Sequence, residues 1–256
     1  MEMTRLDFLK KAWRTGLVLF GGASFKVISG SALLAADGNT AGKRMAMAID
    51  VRACMKDSSC AKCIDACHKG HNVPAIPDAK QAVIWIWKDT IDRAMPGVLN
   101  EYSGGELHGA KTPILCNQCG NPPCVRVCPT GATWKREDGI VMMDQHRCIG
   151  CRYCMAACPY GSRSFNWSDP RKHLDRKSIT RDYPTRTKGT VEKCEFCAER
   201  VDRGLEPLCA AACAEKAISF GDLNAAGSAV RKALAGRIAL RRKPELGTDP
   251  SVYYLL

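Results

Sequence analysis

Sixteen cysteines fall into four groups of four, and no cysteine lies outside them. The groups are Cys54, Cys60, Cys63 and Cys67; Cys116, Cys119, Cys124 and Cys128; Cys148, Cys151, Cys154 and Cys158; and Cys194, Cys197, Cys209 and Cys213. The third, C-I-G-C-R-Y-C-M-A-A-C-P, has the C-x2-C-x2-C-x3-C-P spacing at which thiolates hold iron–sulfur cubanes. Three thiolates on one tight loop can face three irons of a cubane. The fourth, on the helix that follows, points toward a second cubane. Such a run requires a partner run, and here the runs come in an even number.

Two other chemistries use clustered cysteines. Eight disulfides would suit an exported protein, but disulfide scaffolds are usually short chains with little apolar content. This chain has 256 residues, 46% of them hydrophobic. Zinc also takes C-x2-C pairs, yet zinc sites rarely repeat a trailing x3-Cys, and that element closes all four groups. Four [4Fe-4S] clusters are therefore expected. A C-x2-C-H haem attachment run is absent from the sequence. So is a glycine-rich nucleotide loop after a strand. With every cysteine committed to iron, no catalytic site of the chain's own is expected.

The formal net charge of +12 would by itself suggest nucleic acid. An oxidised cubane with four thiolates carries about −2, so four clusters leave roughly +4, and no nucleic-acid partner is expected. Lys62, Arg126, Arg147, Arg152 and Lys193 stand close to ligands. Each is either a solvated surface charge or a tuner of cluster potential.

The elements that must position these thiols are short. Residues 1–36 read as an export signal or N-terminal anchor: a basic start, an apolar stretch over 15–36, and a small-residue cleavage site before Asp37. Residues 4–10 approach a twin-arginine signal, with Leu6 where the second arginine belongs. Export of the folded protein to the periplasmic or extracytoplasmic face of the membrane is expected, since clusters are assembled in the cytoplasm. Residues 45–51 alternate and predict a strand into Cys54; residues 68–74 read as a loop. Residues 82–87 predict a strand, and residues 92–111 a long connection. A hairpin is predicted over 130–143 and another strand over 163–167. The charged stretch 169–188 reads as an exposed excursion. Residues 217–222 predict an exit strand. Val230, Ala233, Leu234 and Ile238 lie at helical spacing within 223–242.

The fold class expected is α+β, with two interleaved pseudo-symmetric bacterial-ferredoxin-like halves of βαββαβ type and long loops. The inner half spans 113–179 with the second and third groups. The outer half joins 45–112 to 180–222 with the first and fourth. Residues 223–256 form a C-terminal helix and tail. If each run lends its last cysteine to its partner, the clusters take Cys54, Cys60, Cys63 and Cys213; Cys116, Cys119, Cys124 and Cys158; Cys148, Cys151, Cys154 and Cys128; and Cys194, Cys197, Cys209 and Cys67. Pro129 and Pro159 turn the chain after the inner groups; His68 and Ala214 take that place in the outer groups.

The runs C-N-Q-C-G-N-P-P-C (116–124), 148–163 and K-C-E-F-C-A-E-R (193–200), with the ending P-E-L-G-T-D-P-S-V-Y-Y (244–254), resemble the four-cluster iron–sulfur subunits of the DMSO reductase family. The resemblance covers about residue 45 to the C-terminus. Within that family the stretch A-C-H-K-G-H-N-V-P (66–74) is most similar to the DsrO subunits of DsrMKJOP complexes, which are associated with sulfite reduction. The resemblance implies an NrfD-type, quinone-interacting integral membrane partner and a multihaem cytochrome c subunit. Together these features predict an electron-transfer subunit in anaerobic sulfur respiration. The alternatives are an independent soluble ferredoxin-like carrier, or the same subunit in a nitrite, polysulfide or quinone reductase complex. A redox sensor would need an output domain, and no remaining segment is large enough. His68 and His71, just after a ligand, are expected to hydrogen-bond locally, with proton-coupled electron transfer as the sharper alternative.

Overall fold

A computed structural model describes residues 42–99, 102 and 105–256; the export or anchor segment lies outside the described residues. The protein is a mixed α/β structure of small sheets joined by short helices. In chain order the elements are β1 (Met45–Asp50), α1 (Val51–Met55), α2 (Lys62–Gly70), β2 (Ile86–Thr90), α3 (Ile91–Ala94), β3 (Lys111–Leu115), α4 (Pro123–Arg126), β4 (Thr133–Lys135), β5 (Val141–Met143), α5 (Tyr153–Ala156) and β6 (Ser164–Phe165). A 3-10 turn at Pro170–His173 follows, then β7 (Val191–Glu192), α6 (Ala198–Val201), α7 (Leu208–Ala211), β8 (Ile218–Asp222), α8 (Ala229–Leu234), β9 (Ala239–Leu240) and β10 (Val252–Leu255).

β1 organises the largest sheet, ordered β8-β1-β10-β9. It runs antiparallel to β8 and parallel to β10, with Met47 opposite Val252. The period of two along β1 sends its side chains to opposite faces. Met47 and Ile49 enter the main core, where Cys63 and Cys67 also lie. Ala46 and Ala48 face the other way, into a smaller cluster with Val230 of α8 and Leu255. The small alanines let α8 lie close to the sheet. The C-terminal residues, read as a tail from the sequence, thus supply a strand beside β1.

Two-stranded ladders complete the frame: β2 with β3, β4 with β5, and β6 with β7. The predicted strand over 82–87 is displaced to β2, because its partner β3 sets the register at Ile86 opposite Leu115. Trp85 is left in irregular chain and buried, and its indole N–H donates to Glu192 at 2.8 Å. The helix expected within 223–242 is only α8. Ser228 caps its start by accepting from the Arg231 N–H at 3.2 Å. Gly236 follows its end at φ +71°, which leaves Ile238 exposed. The stretch 169–188 is largely exposed, but Arg186 is not. It is fully buried in an ion pair with Glu192 at 2.8 Å. Among the described residues no helix is long and apolar enough to cross a membrane.

Candidate functional site

The second, third and fourth cysteine groups sit on tight loops followed by short helical turns, and backbone conformation shows how the loops are made. In the second group Gln118 takes φ +46°, in the third Gly150 and Arg152 take +71° and +63°, and in the fourth Phe196 and Cys197 take +54° and +51°. Residues with a Cβ seldom occupy this left-handed region, and they hold it only where the surroundings dictate the geometry. Such turns curl C-x2-C segments so that successive sulfurs face one point. Gly150 meets a further demand, since a Cβ there would lie 2.4 Å from the Gly189 carbonyl oxygen.

The exits of the groups also repeat. The N–H groups of Gly131, Gly161 and Lys216 donate to the carbonyls of Cys128, Cys158 and Cys213, three residues before them. Their φ values are +63°, +63° and +49°. The first group differs. Its helix α2 continues through His68 to Gly70 and is capped at His71, where a loop was predicted. At Gly70 it passes so near α7 that a Cβ would meet a Leu208 methyl at 2.1 Å. That close crossing joins Cys67 on α2 to Cys209 on α7.

The thiols gather in four quartets, each drawn from two groups. Cys54, Cys60, Cys63 and Cys213 line one cavity, Cys67, Cys194, Cys197 and Cys209 a second, and Cys128, Cys148, Cys151 and Cys154 a third. In the fourth quartet Cys116, Cys124 and Cys158 all act electrostatically on Cys119. The quartets adjoin in a definite order. Cys63 acts on Cys67 and Cys209; Cys116 acts on Cys194; Cys124 acts on Cys154. The row therefore runs from the Cys54 quartet through the Cys194 and Cys116 quartets to the Cys148 quartet. All four cysteines of the Cys194 quartet are buried, whereas Cys151 at one end of the row is exposed.

Electrostatics show what these pockets require. Burial, reinforced by neighbouring sulfurs, pushes Cys54 and Cys119 up to about 12 and Cys63 to about 11. Cys67 and Cys194 are driven well above the ordinary thiol value for the same reasons. Cys128, close to the surface, goes the other way: hydrogen bonds from Thr133, Thr130 and Ala132 outweigh the effect of burial. Converging buried thiols become thiolates only if cations take the charge, and iron does so in a cubane. The donor set, four sulfurs turned to one point, fits that group. Backbone N–H groups aim at further sulfurs, among them Leu208 at Cys197 (3.4 Å) and Ala217 at Cys213 (3.2 Å).

The two histidines have different settings. His71 is buried, stacks on Trp85 with centroids 4.6 Å apart, and meets Tyr183 edge-on. Its Nδ1–H donates to the Cys67 carbonyl at 2.8 Å, and its Nε2 faces Glu199 at 3.1 Å. Burial opposes its charge, but hydrogen bonds to Cys197 and Glu199 prevail and raise it to about 9. His68 is half-buried on α2, and burial lowers its value. Of the cations singled out in the sequence, Lys62, Arg126, Arg147 and Arg152 are exposed and Lys193 is fully buried. Sequence reasoning did not single out Arg163, which is also buried. Its Nη2 donates to Thr133 Oγ1 at 2.9 Å.

A fold that exists to gather cysteines into pockets defines an iron–sulfur protein, and similarity to known proteins agrees. The 4Fe-4S dicluster domain model matches residues 108–174 and 179–223. The chain is 41% identical over 232 residues to the Hdr-like menaquinol oxidoreductase iron–sulfur subunit 1 of Archaeoglobus fulgidus, covering 83% of each chain. It is 38% identical over 233 residues to the menaquinone reductase iron–sulfur cluster-binding subunit of Nitratidesulfovibrio vulgaris, covering 82% of this chain and 87% of that one. A protein NrfC homolog of Haemophilus influenzae is 34% identical over 215 residues, covering 83% and 80%. The chain belongs to this family of iron–sulfur electron-transfer subunits of quinol oxidoreductase complexes, and its cofactors are [4Fe-4S] clusters.

Proposed function

We propose that the protein carries four [4Fe-4S] clusters and relays electrons between a quinone-interacting, NrfD-type membrane subunit and other redox subunits, a cytochrome c or a reductase, in anaerobic sulfur respiration. The observation that carries this reading is the row of four cysteine quartets. On it, Cys54, Cys60, Cys63 and Cys213 hold one cluster; Cys67, Cys194, Cys197 and Cys209 the next; Cys116, Cys119, Cys124 and Cys158 the third; and Cys128, Cys148, Cys151 and Cys154 the last. Each cluster supplies one-electron exchange at a potential anywhere from about −700 to +450 mV, set by hydrogen bonds, charge and exposure. The chain's part is to hold the thiolates in place and to exclude water from the inner pockets. Its inner quartets are the more enclosed and the Cys148 end opens to solvent, as a relay with a partner at its end requires.

The likeness to a menaquinol oxidoreductase subunit and a menaquinone reductase subunit supports a quinone-handling partner. The DsrO-like stretch at 66–74 supports sulfite-associated respiration. The basic and apolar segment at 1–36 supports work on the extracytoplasmic face of the membrane. The test is gentle purification from membranes of cells making the tagged protein. Co-purification with a multi-span subunit and a haem protein is expected, with the tagged chain outside the cytoplasmic membrane. A chain that purifies alone and reduces partners singly would be an independent carrier.

A further inference from the structure

Four lysine and arginine side chains are buried among the described residues: Arg163, Arg186, Lys193 and Arg242. Arg186 has Glu192 for a partner. Arg242 also lacks a carboxylate partner, but it donates to the Ala94 carbonyl at 3.1 Å and lies over the Tyr160 ring, and its charge acts on Tyr160 and Tyr254. Lys193 and Arg163 remain, and neither forms a salt bridge with a carboxylate among the described residues. The Lys193 ammonium donates to two carbonyl oxygens, those of Val141 and of Cys194, the latter at 3.0 Å. Gln118 braces the same place, accepting from the Val141 N–H at 2.7 Å and donating to the Cys194 carbonyl at 2.8 Å. Glu195 is the nearby acid. Burial raises it toward its neutral form, and its carboxylate accepts from Tyr183 at 3.2 Å. Arg163 donates to Thr133 and contacts Met143 sulfur, which are both neutral.

A buried ammonium or guanidinium without an anion costs several kcal/mol. The anions within reach of these two are cysteine sulfurs, and each cation stands between two quartets. Lys193 adjoins Cys194 in sequence and is the foremost charge acting on Cys116. Arg163 reaches the sulfurs of Cys124 and Cys154 with its guanidinium, within hydrogen-bond range of both. We propose that Lys193 and Arg163 are built-in counter-charges of the cluster row, Lys193 serving the Cys194 and Cys116 quartets and Arg163 the Cys116 and Cys148 quartets. They are positioning residues, acting through the clusters rather than on a substrate, and the inference rests on the four-cluster reading above. A reduced cluster carries one more negative charge, so each cation raises the potentials of the two clusters it separates. The Cys116 cluster, flanked by both, feels both.

The test is a potentiometric titration of the purified protein followed by EPR, with iron and acid-labile sulfide measured on the same samples. Lys193→Met should lower two reduction steps, each by about tenfold in its equilibrium constant or more, which is about 59 mV for one electron. Arg163→Met should lower two steps likewise. One step should move in both variants, one in each alone, and one in neither. Lys193→Arg and Arg163→Lys should titrate near the parent. Fully loaded Met variants whose steps do not move, or whose four steps move alike, would overturn the proposal and leave the four-cluster reading intact. If Met and Gln variants lose iron while the charge-keeping variants stay loaded, the counter-charge role is supported. If the charge-keeping variants lose it too, the residues serve shape, and the proposal fails. A parent protein short of four clusters would instead sink the reading on which it rests.

Discussion

Substituting Gly150 by alanine tests how the third cysteine loop is built. Gly150 sits between Cys148 and Cys151 at φ +71°. A side chain in that conformation costs about 1–2 kcal/mol. The added Cβ would also lie 2.4 Å from the Gly189 carbonyl oxygen and 3.3 Å from the Phe165 ring. The obstacle is backbone, held by the Gly189 N–H donating to the Asn166 carbonyl at 2.8 Å beside the β6–β7 ladder, so one of the two segments must shift. Such overpacking costs about 1–3 kcal/mol more. The total, about 2–5 kcal/mol, lowers the population of the liganding loop roughly 30-fold to several-thousand-fold at about 1.4 kcal/mol per factor of ten. Gly161 supplies the control, since its φ is +63° but nothing lies within 4 Å of its added Cβ. Gly161→Ala bears the backbone cost alone. The assay is iron and sulfide per chain, with the temperature at which cluster absorbance is lost at a fixed scan rate. Gly150→Ala should lose about four irons, one cubane, or bleach at distinctly lower temperature than Gly161→Ala. Equal iron and equal bleaching temperature in the two variants would refute the reasoning.

Other outcomes follow from the same geometry. Arg186→Met strips Glu192 of its charged partner and should destabilise the protein by about 3–5 kcal/mol, whereas Arg186→Met with Glu192→Leu should cost much less than the two singles combined; thermal unfolding at one scan rate compares them. Lys216→Gly removes a side chain from φ +49° and should stabilise by roughly 1 kcal/mol, seen as a higher unfolding temperature. Asp50, despite burial, is held below its ordinary value by Arg237, and Asp249 likewise by Arg44 and Arg241. A carboxylate lowered in the folded state adds stability that is complete above about pH 4 and is lost as pH falls through its native value. Unfolding temperature should therefore drop below pH 4, and Asp50→Asn should drop less steeply there; a parallel course in parent and variant would contradict it.

Much of the site was legible because cysteine spacing is a direct imprint of the pocket. The strand at 45–50 and the hairpin at 133–143 followed from alternation and turn residues. What stayed hidden was decided by long-range packing. Arginine and lysine normally lie at the surface, so nothing local marks Arg163, Arg186 or Lys193 as interior. Their settings are completed by distant residues: Thr133 for Arg163, the Val141 carbonyl for Lys193 and the His71 carbonyl for Arg186. The β2 strand was displaced because ladder register with β3, rather than the apolar run at 82–87, sets its bounds. The helix over 223–242 was overextended because apolar spacing carries past Gly236 although the backbone does not. His68 was read as a loop residue because the following Gly70 and Pro74 suggest a break, while packing against Leu208 keeps α2 helical as far as Gly70.

The central claim is that sixteen thiols hold four cubanes. Quantifying iron and acid-labile sulfide in anaerobically purified protein, with Mössbauer spectra of the iron-57-labelled sample, tests it most directly. The account predicts about sixteen of each per chain, with spectra of [4Fe-4S] centres alone. Zinc in place of iron, cystines in a mass map, or about eight irons per chain would contradict it.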